Sequence, residues 1–128
     1  MLSAFLVPET VVREEGASPA LDVGSSQGKS LTLTLGITRI IEQESLDVSI
    51  WGSADQTNWG AKALAAFPQK FYCGVYELSL NLASHPEIRF LRAQWKVERW
   101  GRGTSAPLFG IYMVVQETSE RGVTAQSA

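Results

Sequence analysis

A chain of 128 residues, 45% hydrophobic and 19% charged, has the make-up of one globular domain able to bury roughly 70% of its unfolded surface. A net charge of −2 and a pI near 5.4 remove any global electrostatic argument for nucleic acid or an anionic membrane. The single cysteine, Cys73, and single histidine, His85, exclude an internal disulfide and a structural zinc site.

The chain opens MLSAFLVPETVV, with no Lys or Arg ahead of its apolar residues and with Pro8 and Glu9 interrupting them. A secretory signal needs a basic start and a longer apolar core, so cytoplasmic synthesis is expected. No run reaches the ~20 apolar residues of a membrane span. Residues 2–7, 11–13 and 20–23 are short strand candidates. GSSQGKS (24–30) resembles a phosphate loop. Too few residues separate Gly24 from Gly28 and Lys29 for that motif, however, and a strand pattern follows in place of a helix. SSQGK therefore reads as a turn.

The strongest period is two. In SLTLTLGI, Leu31, Leu33, Leu35 and Ile37 alternate with Thr32, Thr34 and Gly36, as in a strand with one buried face. SLDVSIWG repeats the pattern, with Leu46, Val48 and Ile50 inward and Asp47, Ser49 and Trp51 outward. Glu42, Glu44 and Asp47 read as a solvated connection, not as a converging carboxylate pair for glycoside hydrolysis. AKALAAFP (61–68) has helical propensity and stops at Pro68, which leaves a short helix or an irregular strand open. In KFYCGVY, Cys73 lies among apolar neighbours and reads as a packed thiol.

VYELSLNLA places Tyr76, Leu78, Leu80 and Leu82 inward, and SHPE (84–87) then turns the chain, with His85 as a turn residue. RFLRAQWKVER sets Leu91, Ala93, Trp95 and Val97 inward, with Arg92, Gln94 and Lys96 opposite. A Gly-rich connection (101–107) leads to LFGIYMVV (108–115), apolar on both faces and expected as a central or doubly covered strand. From Glu117 to Ala128 periodicity is lost, so residues 1–116 are expected as the domain and 117–128 as a flexible tail. Strands at short spacing without long helices predict an all-β fold: an antiparallel sandwich, a jelly roll of about eight strands with at most one short helix.

Residues 51–59, WGSADQTNW, bracket a polar run with two tryptophans. One reading is a hairpin whose Asp55 and Asn58 hold the turn and whose Trp59 anchors the returning chain in the core. The other is a loop that displays both rings. Strand phase puts Trp51 on the face opposite Leu46, Val48 and Ile50, so it is the better candidate for an exposed ring.

The pattern LDVSIWGSADQTNW, followed by IRFLRAQWKV, resembles discoidin-type, galactose-binding-like jelly rolls. The matching positions are Ser53, Asp55 and Trp59, then Arg89, Phe90, Leu91 and Arg92. The same stretch is similar to small β-sandwich proteins of tailed-phage and prophage structural clusters. The resemblance spans about residues 30–115. It departs at Gln56, where a Gly is expected after the turn Asp, and in lacking a paired-cysteine staple. It implies a jelly-roll domain that binds sugar or takes part in particle assembly.

Serine or cysteine catalysis needs a base beside the nucleophile, and the composition supplies only His85. No enzyme activity, cofactor or catalytic metal is therefore expected. A calcium ion held by Asp55 and backbone carbonyls is the one metal site left open. Arg89, Arg92, Lys96, Arg99 and Arg102 give a local basic bias with Trp95 and Trp100 interleaved. Arg beside Trp can stack on a sugar ring or a partner's aromatic group. The candidate binding residues are Trp51, Asp55, Arg92, Trp100 and Arg102. The expected role is a non-catalytic structural subunit, phage- or virion-like, whose partner is itself or a neighbouring subunit. The alternative is a carbohydrate-binding module. Neither nucleic acid nor membrane is expected as a partner.

Overall fold

Alternating Leu and Thr leave a strand no choice of face: one side must find another apolar layer. The computed structural model describes residues 2–40, 44–99 and 108–118, and among these two antiparallel sheets supply that layer to each other. The strands are β1 (Ser3–Val12), β2 (Gly16–Ala17), β3 (Leu21–Asp22), β4 (Ser30–Ile40), β5 (Glu44–Ser53), β6 (Ala65–Ala66), β7 (Gly74–Asn81), β8 (Phe90–Arg99) and β9 (Phe109–Glu117). One sheet has the order β1-β9-β4-β7; the other runs β2-β8-β5-β6, with β3 also on β8.

The first half of the chain pairs with the second half in reverse: β1 with β9, β2 and β3 with β8, β4 with β7, β5 with β6. This is one long antiparallel ribbon wrapped into a sandwich, the jelly-roll arrangement. Residues 54–64 form the tip of the ribbon. In the stretch 61–68, open between a short helix and an irregular strand in the sequence, Ala65–Ala66 is strand and the rest is irregular. Leu64 and Phe67 donate backbone bonds to Ile50 and Val48 across β6, and Phe67 is buried.

The predicted inward phases hold. Leu31, Leu33, Leu35 and Ile37 of β4 meet Leu46, Val48 and Ile50 of β5 in one continuous core. β9 is central in its sheet, hydrogen-bonded to β1 on one side and β4 on the other. Its inward residues Phe109, Ile111, Met113 and Val115 are fully buried, while Tyr112 and Val114 on the other face stay half-buried. The Tyr112 ring lies flat over Gly36, where any Cβ would collide with it.

Three expectations change. Glu44 is buried, because β5 begins at it and its Oε1 accepts the Leu108 N–H at 2.8 Å beside the start of β9. Glu42 lies outside the described residues. Cys73 is exposed, since the connector before β7 leaves the sandwich. β9 runs to Glu117, one residue into the expected tail.

Glu117 is a clasp. Its carboxylate accepts from the Ser26 hydroxyl at 2.9 Å and the Leu2 N–H at 3.3 Å, and pairs with Lys29 at 3.2 Å. It thereby ties β9 to the start of β1 and to the turn before β4. The Ser26 and Leu2 bonds, then Lys29, hold its pKa below the ordinary carboxylate value. A carboxyl whose folded pKa is lowered contributes stability that is present above its unfolded pKa and lost as pH falls through the folded one. Glu117→Gln should destabilise the protein at neutral pH and flatten the loss of stability on acidification. Denaturant melts across the acidic range check this, and an unchanged pH profile would contradict it.

Candidate functional site

The ribbon tip is built by side chains that replace missing backbone partners. The Ser53 hydroxyl oxygen accepts from the Asp55 and Gln56 N–H groups at 3.1 and 3.0 Å and donates to Asp55 Oδ1 at 3.0 Å. Asp55 Oδ1 accepts from Thr57 and Asn58 N–H at 2.9 and 3.0 Å, and Asn58 Oδ1 accepts from Gly60 N–H at 2.9 Å. These nested turns, led by the Asn58 and Thr57 bonds, hold the Asp55 pKa below its ordinary value. They also decide what Asp55 does. All of these bonds fall on the single oxygen Oδ1, so the carboxylate serves as a turn-forming group.

Gln56 takes φ 68°, the left-handed conformation that favours glycine. The sequence places a non-glycine at the one position of this turn where Gly was expected. The strain is of order 1–2 kcal/mol, partly offset by the greater unfolded-state freedom of a glycine.

Trp59 is not the core anchor the sequence suggested. It is half-buried, and the Arg92 guanidinium lies over its ring at 4.4 Å from the centroid. Arg92 in turn stands directly across from Trp51 in the β5–β8 ladder. The three side chains thus converge at one end of the five-stranded sheet's outer face. Arg92 Nε is buried and has no hydrogen-bond partner among the described residues, while its guanidinium stacks on the Trp59 ring. Trp51 is half-buried, its indole N–H donating to Ser49 Oγ at 2.9 Å, which lays the ring along the strand.

Beside this cluster, a groove of about 660 Å³ crosses all four strands of the β2-β8-β5-β6 path. Its lining includes Trp51 and Trp95 together with Asp47, Ser49, Gln94 and Lys96. The volume falls in the range of small-molecule sites, and the mixture of indole and hydrogen-bonding groups suits a ligand with flat apolar faces and polar edges. Of the predicted binding residues, the structure brings Trp51 and Arg92 together and leaves Asp55 in the turn. Trp100 and Arg102 lie outside the described residues. Asp47, Ser49, Gln94 and Lys96 were legible as outward residues, but only strand pairing shows that they share a groove.

No family model matches the chain, and no curated protein matches it. Solved structures do. The infectious bursal disease virus Gt strain structure superposes at TM-score 0.55 with 12% identity, over 91% of this chain and 32% of that one. The VP2 subviral particle of the same virus gives TM-score 0.51 at 8% identity, over 91% and 32%. The SPBc2 prophage-derived protein YomS covers 90% of this chain and 92% of its own, with 9% identity and TM-score 0.44. This chain spans about a third of the viral proteins it matches. At these identities the viral likeness defines a shared β-sandwich fold.

Two expectations follow for the tip. Trp59→Ala should cost about 1–2 kcal/mol, the scale of a half-exposed ring and its cation–π contact, and not the ~3–5 of a core aromatic. Gln56→Gly should be neutral or stabilise by up to about 1 kcal/mol. Urea unfolding of both variants checks this. A core-sized loss at Trp59, or a clear loss at Gln56→Gly, would show that the tip is held differently.

Proposed function

We propose that this protein is a non-catalytic structural subunit that works by associating with copies of itself or with neighbouring subunits, in the manner of a virion or phage component. The observation that carries the reading is the outer face of the β1-β9-β4-β7 sheet. In one cross-strand row Phe5 stands beside Val114, then Thr34 and Glu77; in the next, Tyr112 stands beside Gly36 and Val75. Phe5 and Val75 are 57% and 64% exposed, and Tyr112 is flattened onto Gly36. A cluster of apolar side chains on a sheet's solvent side, Phe5, Val114, Tyr112 and Val75 here, is what a second protein surface covers. The fold shared with the viral-particle structures is compatible with this role, and incorporation into a particle belongs to the same proposal.

A specific observation favours a second reading. The groove beside Trp51 has an outward indole and the hydrogen-bonding groups that a sugar ring uses. The Ser53–Asp55–Trp59 turn also resembles that of galactose-binding-like jelly rolls. Under this reading the protein is a carbohydrate-binding module with Trp51 as its stacking platform. Titration with neutral mono- and oligosaccharides, followed by tryptophan fluorescence, would show saturable binding that Trp51→Ala removes.

Sedimentation over a range of protein concentrations tests the assembly reading. A specific interface buries about 1,200–2,000 Å² in total, so a species heavier than the 14.0 kDa monomer is expected at micromolar concentration. A strict monomer throughout would contradict it.

A further inference from the structure

We infer that β7 is the contact strand: it pairs antiparallel with β7 of a second copy about a two-fold axis, joining two four-stranded sheets into one of eight. This rests on the assembly reading and adds to its face a contact at the sheet's edge. Every open sandwich has sheet edges, and an edge strand offers unpaired N–H and C=O groups to any other strand. Edges that stay solitary are blunted, so the condition of each edge is informative.

Here the edges differ. β1 carries Pro8, which has no N–H, and its pairing with β9 is broken by shifts between Phe5 and Val7 and between Val7 and Thr10. On the second sheet one border consists of β2 and β3, two residues each, with Pro19 between them. The other border is β6, also two residues. β7 has none of these devices. It runs for eight residues without proline and keeps unbroken register with β4 from Gly74 opposite Ile37 to Asn81 opposite Ser30. Among the described residues nothing pairs with its outer side.

Two further observations fall on the same strand. Its inward residues Tyr76 and Leu78 are only half-buried, whereas their partners on β4, Leu35 and Leu33, are fully buried; a strand alongside would complete the cover. The residues leading into it are exposed apolar groups: Phe71 at 41%, Tyr72 at 73%, and Val75 at 64% on its outer face. The one charge on that outer face is Glu77.

The complement of a strand edge is another strand edge. Among the described strands β7 is the long, regular free edge, so a second β7 is the fitting occupant, and antiparallel self-pairing gives a closed, isologous contact. Charge selects the register. An axis through Glu77 would set two carboxylates face to face, which is unfavourable. An axis through Leu78 places Glu77 opposite Ser79 and Val75 opposite Asn81.

The test combines sedimentation with amide hydrogen exchange on the full chain. For the wild type, β7 amides should gain protection as protein concentration rises through the association range. Val75→Glu combined with Ser79→Glu, both at exposed outward positions and the second opposite the other copy's Glu77, should weaken association at least about tenfold. Val11→Lys, on the opposite edge strand, should leave it unchanged. If the protein associates while β7 exchange stays independent of concentration, or if Val11→Lys alone abolishes association, the contact lies elsewhere and this inference falls while the assembly reading stands. Association by the double variant as tight as wild type has the same meaning. A wild type that never associates overturns both.

Discussion

The hydrogen-bond ladders on the two sides of β9 are the constraint on which the rest depends. The last strand in sequence lies in the interior of its sheet, between the first strand and β4. Without it β1 has no partner, β4 loses one ladder, and the inward row from Phe109 to Val115 leaves the core open. The pairing Ser3 to Gln116 spans nearly the whole described chain. Such long-range closure is entropically costly and forms late, so the sandwich is not complete until the C-terminal strand is in place. The Glu117 clasp sits at this closure and bonds to both elements that β9 must hold together.

Once closed, the sandwich presents two unlike outer faces. The β1-β9-β4-β7 face carries an apolar cluster, Phe5, Val114, Tyr112 and Val75, where Thr34 and Gly36 on β4 leave room for the larger side chains. The β2-β8-β5-β6 face is polar and grooved because its outward residues, Asp47, Ser49, Gln94 and Lys96, alternate with the core residues of two adjacent strands. One face suits a protein surface and the other a small polar ligand. The two uses need not compete, since they lie on opposite sides of the core.

Much of this was legible in the sequence wherever a period of two ran for more than a few residues. The leucines of β4 and the Leu46–Ile50 run followed from alternation, and the central position of 108–115 from apolar residues on both faces. What escaped was set by pairing partners. Glu44 looks solvated until β5 is seen to begin beside Leu108, whose N–H it accepts. Cys73 looks packed from its apolar neighbours, but those neighbours are themselves exposed. Trp59 was expected as an anchor because a returning chain needs one; Phe67, further along, does that work, and Trp59 is left to stack on Arg92. The groove joins strands β5 and β8, more than forty residues apart in sequence, which no local pattern reports. The departure at Gln56 was visible, and the structure supplies its meaning as a strained left-handed turn.

Native-state hydrogen exchange on the monomer at low concentration tests the primacy of β9 most directly. Its amides, bonded on both sides within the sheet, should exchange only through global unfolding, together with those of β4. Those of the two-residue β6 should open locally and much faster. Protection of β5 and β8 that outlasts β9, with the five-stranded sheet persisting after β9 has exchanged, would contradict the account.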